Sequence, residues 1–279
     1  MSLELIENWL NYCEAEKIEP WRYDFKTENL VKGVQNPNPI LRIFEWYINY
    51  DKKYQEGEIE NTELAKEIYC NLWNIDREIL FLKRPFVDID VMNSFWTIYQ
   101  RSIKVDKNQD FYKWKKNREI NKETFKFLMN NYDNYKETND KFEEYASLTH
   151  TIGNFTIEPR GFNMGRKNSD YWDLGMILLQ SFFNCLDGEE NWKNFVEKYF
   201  LHSYVNNSEE YVVTEFWNRN GVNPRNNEDI KSFISKANWC IEERGKLMIK
   251  KLCEDSNLTH YKFYDLYLKN FKKKFSDDQ

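Results

Sequence analysis

Apolar residues recur at helical spacing along almost the whole of this 279-residue chain, and the residues that break helices are scarce, with nine glycines and six prolines. Leu64, Ile68, Leu72, Ile75, Ile79 and Leu82 mark one stripe of a long helix. It must stop by Arg84, because Pro85 disfavours helical geometry in the residue before it. Leu41, Phe44 and Ile48 open a second stripe after Pro39, and Val91, Phe95 and Ile98 a third. Phe125, Leu128, Met129 and Tyr132 follow Asn121 as a plausible cap, and Ile230, Phe233, Ile234, Ala237 and Ile241 repeat the pattern near the C-terminus. The spacing predicts a mainly α, multi-helix compact protein.

Strand signals are few. Residues 149–152 and 155–158 flank Gly153-Asn154, which suits a two-residue turn and predicts a short β-hairpin. The stretch 211–214, Tyr-Val-Val-Thr, is β-prone but follows Ser208-Glu209-Glu210, which reads as a helix start, so helix is expected there.

The chain reads as a single compact unit over 1–279. The best candidate for a sub-boundary is the charged interval 104–121, which would divide an N-terminal helical part, 1–103, from 122–279; Phe111, Trp114 and Arg118 also fit a surface helix there. No internal repeat emerges. A final helix is expected from Thr259 as cap through Tyr261, Tyr264, Leu268 and Phe271, with Lys272-Lys273-Lys274 suiting the negative end of its dipole.

Composition narrows the function classes. Apolar residues are 41% of the chain and aromatic residues 17%, enough for a core without disulfides or metals. A net charge of −6 and a pI near 5.4 argue against general nucleic-acid binding and against anionic membrane surfaces. Cys13, Cys70, Cys185, Cys240 and Cys253 are odd in number, widely spaced and without a Cys-x-x-Cys pair, so reduced and mostly buried thiols are expected. The first residues carry acids within an apolar pattern and no basic leader, and no apolar run approaches the roughly 20 residues that span a bilayer. A cytoplasmic location is therefore expected, with the Asn-x-Ser/Thr matches at Asn154, Asn206 and Asn257 unused.

One stretch differs in texture from the rest. HTIGNFTIEPRGFNMGRKNSDYWDL, residues 150–174, holds three glycines, a proline, two arginines and a histidine, and it runs into the most apolar segment of the chain. From Tyr171 to Leu186 almost no polar face remains, which predicts a helix at the centre of the core. The preceding loop would deliver the chain into that buried central helix. Asn154, Arg160 and Asn163 would then serve to satisfy loop amides and carbonyls.

The same residues also fit a site. Gly161 and Gly165 permit close backbone approach, while Arg160, Arg166 and Lys167 supply donors ahead of a helix beginning near Ser169, so an anion could sit there. The spacing matches neither a Walker loop nor Gly-x-Gly-x-x-Gly. Asp170 and Asp173 could hold magnesium, but their spacing equally describes a helix cap with an acid reaching back to it. His150, His202 and His260 lie far apart with no companion ligands, so no metal site is expected, and no cofactor. There is no Gly-x-Ser-x-Gly elbow and no cysteine beside His150 in sequence.

His150-Thr151-x-Gly153-Asn154-Phe155, then Pro159, Gly161-Phe162-Asn163 and Asp170-Tyr171-Trp172-Asp173-Leu174, resemble a signature of an uncharacterised family of low-GC Gram-positive bacteria and their phages. The resemblance covers about 25 residues. It implies a phage or prophage context, in which proteins of this size include inhibitors of host immunity. The first expectation is thus a non-enzymatic binding protein that sequesters a nucleotide-like or phosphorylated ligand, or that inhibits a host defence protein. His150, Arg160, Arg166 and Lys167 would hold its anionic groups, Asn154 and Asn163 would read polar edges, and Trp172 would stack. The alternative is an enzyme on a nucleotide or phosphorylated substrate, with His150 as general acid or base, Asp170 or Asp173 orienting it, and the arginines stabilising charge. A third reading uses the aromatic surplus to cover an oligomer or partner surface, as in a homo-oligomer.

Overall fold

A computed structural model describes residues 3–27, 36–49, 59–80, 87–107, 122–159, 162, 174–184, 191–217 and 224–265. It is mainly α, as the spacing predicts. The helices are α1 (Glu4–Glu16), α2 (Pro39–Asn49), α3 (Glu63–Trp73), α4 (Arg77–Leu80), α5 (Phe95–Lys107), α6 (Lys122–Asn130), α7 (Lys136–Leu148), α8 (Leu174–Phe183), α9 (Trp192–Lys198) and α10 (Asn227–Asp255).

Local chemistry sets their ends. Pro39 opens α2 with its fixed φ, and the Asn38 Oδ1 accepts from the amides of Ile40 and Leu41, both at 3.0 Å. Thr62 caps α3 by accepting from the Ala65 amide at 3.1 Å. The long stripe from Leu64 to Leu82 is not one helix. Asn74 turns left-handed (φ 48°) and stops α3, and Asp76 then accepts from the Glu78 amide at 2.8 Å to start α4. Periodicity survived the break because the two helices bury Leu72 and Leu80 in the same core.

The centre of that core is α10. Asn226 caps it by accepting from the Asp229 amide at 2.9 Å, and its 29 residues span about 44 Å. Ile230, Phe233, Ile234, Ala237, Cys240, Ile241, Met248, Ile249 and Leu252 form its buried stripe. It packs against α3, α5, α7 and the short turns at 20–22, 152–154 and 202–204. On the far side of α7, α2 packs on α6 and α7, and Phe44, Phe95, Tyr99, Phe125, Phe142 and Tyr145 meet edge to face, tilted or stacked. Much of the aromatic surplus is therefore interior. Among the described residues the exposed large apolar side chains are Tyr12, Phe127, Phe182, Val212 and Trp239.

Four further expectations need correction. The hairpin turning at Gly153-Asn154 does not form. Residues 152–154 make a single 3-10 turn, and β2 (Phe155–Pro159) pairs antiparallel with β1 (Val87–Val91), with Ile89 opposite Ile157. Val91 thus belongs to a strand, and α5 begins only at Phe95. The 211–214 stretch is not helical: Val213 bridges to Val205, and Tyr211 takes a left-handed φ of 48° that ends any helix there. The most apolar helix, α8, is not the centre of the core: Met176, Leu179 and Phe183 are buried, but Phe182 is 43% exposed, and its chief partner is α9.

Cys13, Cys70, Cys240 and Cys253 are free and buried, as expected. No described helix is long and apolar enough to cross a membrane. Asn121, residues 108–121, Cys185 and the lysines at 272–274 lie outside the described residues.

Candidate functional site

The start of the 150–174 stretch is a joint between α7, α10 and the sheet. Where α7 ends, the hydroxyl of Thr149 donates to the Tyr145 carbonyl at 2.7 Å and that of Thr151 to the Leu148 carbonyl at 2.9 Å, satisfying acceptors the helix end leaves over. Asn154 is fully buried. Its amide donates to the carbonyls of Asn93 (3.0 Å) and Thr149 (2.6 Å), and its oxygen accepts from the Asn93 amide at 3.0 Å. Its side chain is engaged with the main chain around it.

Gly153 lies directly on α10. A Cβ there would stand 2.0 Å from the Ile241 carbonyl oxygen and 2.9 Å from the Gly245 amide nitrogen, so the close approach requires glycine. Next to Gly245, Arg244 is 1% exposed and donates to the carbonyls of Gly153 (2.8 Å), Phe155 (2.5 Å) and Tyr199 (3.0 Å). Burial, with no carboxylate bonded to it, lowers its guanidinium to about 10. Sequence reasoning passed over Arg244. The available signal was its place in the apolar stripe, four residues after Cys240 and four before Met248, where an unpaired cation would be costly.

His150 belongs to a second group, built with the residues after α1. The Phe25 amide donates to the His150 carbonyl at 3.0 Å, which fixes residues 24–26 against the end of α7. Lys26, whose side chain is fully buried, donates from Nζ to His150 Nδ1 at 2.9 Å and pairs with Asp24 at 2.8 Å. Arg42 of α2 approaches the other oxygen of Asp24 at 3.2 Å, and the Trp46 ring lies 6.0 Å from the imidazole. An ammonium can only donate, so Nδ1 is the acceptor and the neutral ring carries its proton on Nε2. Burial, and then the Lys26 charge, push His150 well below the usual imidazole range. Burial lowers Lys26 to about 8 against the pull of Asp24, with Arg42 adding to the lowering. Two cations thus share one carboxylate beside a neutral histidine. Lys26, Asp24 and Arg42 carried no sequence signal, because they meet His150 only through the fold.

Of the sequence-predicted site residues, the structure places His150 and Asn154, four positions apart, in different hydrogen-bond groups. Arg160, Asn163, Arg166, Lys167, Asp170, Trp172 and Asp173 lie outside the described residues. Among the described residues no group of three or more His, Cys, Asp or Glu side chains is placed to hold a metal. No family model, curated protein or solved structure matches the chain.

Proposed function

We propose that the protein is a non-enzymatic binding protein for a small anionic ligand, nucleotide-like or phosphorylated, whose negative group is received at the Lys26–Arg42 end of the His150 group. The observation that carries this reading is the charge imbalance at Asp24. One carboxylate faces both a fully buried ammonium and a guanidinium, and an entering anion would complete the pairing. Arg42, 17% exposed, is the member nearest solvent and the point of entry. The state of His150 favours binding over catalysis. Its Nδ1 lone pair is held by Lys26 and burial disfavours the imidazolium, so the ring offers neither the free nitrogen of a general base nor the charged form of a general acid.

The resemblance of residues 150–174 to proteins of low-GC Gram-positive bacteria and their phages supports a biological setting for such a binder. A protein carried by a mobile element would withhold a signalling nucleotide from host defence, or occupy a defence protein directly. Titration calorimetry with inorganic phosphate, mononucleotides and dinucleotides tests the ligand. The expected result is saturable binding by the wild type, weakened at least about tenfold in both Lys26→Met and Arg42→Gln. Absence of binding, or equal affinity in folded variants, removes the small-ligand reading.

A further inference from the structure

A hollow lies away from His150, where α8, α9 and the loop at 206–213 meet. Its volume is about 410 Å³, within the range of roughly 300–1,000 Å³ typical of small-molecule sites. Phe183 and Trp192 give it an apolar back, and Gln180, Asn184, Asn191, Lys193, Glu209 and Glu210 complete its lining.

The walls are tied together by hydrogen bonds. Tyr211 holds a left-handed φ of 48°, which a bulky side chain adopts only when its surroundings enforce it. Its carbonyl accepts from Trp192 Nε1 at 2.7 Å and Gln180 Nε2 at 3.3 Å, and its hydroxyl donates to Glu197 at 2.5 Å. Glu197 in turn meets His202 at 3.1 Å. Asn206 gathers the loop from within, accepting from the amides of Ser208 and Val212 at 3.1 Å each. The rim is therefore pinned to both helices.

The lining residues divide by what they do. Gln180 spends both ends on the loop, its Oε1 accepting from the Val213 amide at 3.2 Å, and Asn191 caps α9 by accepting from the Asn194 amide at 2.9 Å. Among the described residues Lys193, Glu209, Glu210 and the Asn184 side chain make no hydrogen bond or ion pair; Lys193 stands 5.8 Å over the Tyr211 ring and its charge reaches Glu197. Exposed charges of both signs, none held in a hydrogen bond or close ion pair among the described residues, thus border one hollow with an aromatic back.

We propose that this cleft binds a free amino acid as its zwitterion, with an apolar side chain against Phe183 and Trp192, its carboxylate at Lys193 and its ammonium at Glu209 and Glu210. A ligand of one sign would satisfy one side and be repelled by the other, whereas a compact zwitterion answers both. The site is separate from the Lys26 group, so each proposal fails on its own.

The test is NMR titration of the wild type with the common amino acids, followed by the amide and the N-acetyl derivative of the best binder. Shifts should saturate at residues 180–184, 191–193 and 209–213. Removing the ligand's carboxylate or making Lys193→Met should each weaken binding at least about tenfold, and doing both should cost no more than either alone, as expected for one shared contact. Glu209→Gln with Glu210→Gln should do the same against N-acetylation. These side chains are exposed, so the variants should fold, as circular dichroism will verify. No saturable shifts with any amino acid, or equal affinity for the blocked derivatives, overturns the proposal.

Discussion

Gly153 and Gly245 face each other across the contact between the 152–154 turn and α10, and they differ sharply in what a methyl group would meet. At Gly153 a Cβ would overlap the Ile241 carbonyl at 2.0 Å, and backbone in the middle of a long helix cannot give way. At Gly245 a Cβ would stand 3.0 Å from the Trp21 Cβ, a far milder crowding that asks the 20–22 turn to give by a few tenths of an ångström, while alanine gains about 1 kcal/mol of helix propensity over glycine. Gly153→Ala should therefore lose more than about 3 kcal/mol, and Gly245→Ala should stay within about 1 kcal/mol of wild type, by urea denaturation. Comparable losses at both positions would show that the approach is not as tight as described. This contact also gives the Gly153-Asn154-Phe155 run a physical cause. Gly153 permits the approach, Asn154 ties the turn to Asn93, and Phe155 presents its carbonyl to Arg244 and its ring to Phe25.

At the scale of elements, the helical stripes were legible because burial on one face imposes a 3.6-residue period whatever the neighbour is. The stripe from Ile230 to Ile241 lies on one buried face of α10, and Asn226, which the stripe does not point to, supplies the cap where that helix begins. Asn226→Ala should cost about 1 kcal/mol in denaturant unfolding, a loss that Asn226→Ser should largely restore. Unchanged stability in the alanine variant would mean that packing alone fixes the start of α10. The break at Asn74 was harder to see, since asparagine in the left-handed region leaves the apolar period on both sides intact. The sheet was misread for a different reason. Strand 155–159 pairs with residues more than 60 positions earlier, and no local turn signal can report a partner at that distance. Apolar content likewise misplaced α8. A helix can be apolar on every face and still lie at the edge of the described core, as the exposure of Phe182 shows.

For the molecule as a whole, the long-range contacts at residues 150–155 set which groups are neutral and which are charged. His150 was legible as a candidate because histidine titrates near neutrality, but its state depends on Lys26, 124 positions away in sequence. With its pKa depressed on folding, His150 stays unprotonated in the native chain while the unfolded chain binds a proton below about pH 6.5. Its contribution to stability is thus complete above that pH and is lost as the solution is acidified. The same neutrality leaves Lys26 as the charge that an anion would meet. The most direct measurement is a nitrogen-15 NMR titration of the histidine side chains from about pH 8 to about pH 5, with His150→Gln assigning the signal. The account predicts that His150 remains the neutral Nε2–H tautomer throughout, its Nδ1 shift that of a hydrogen-bond acceptor. Protonation of His150 near pH 6.5, or a proton on Nδ1, would contradict the Lys26–His150 arrangement and the anion binding proposed on it.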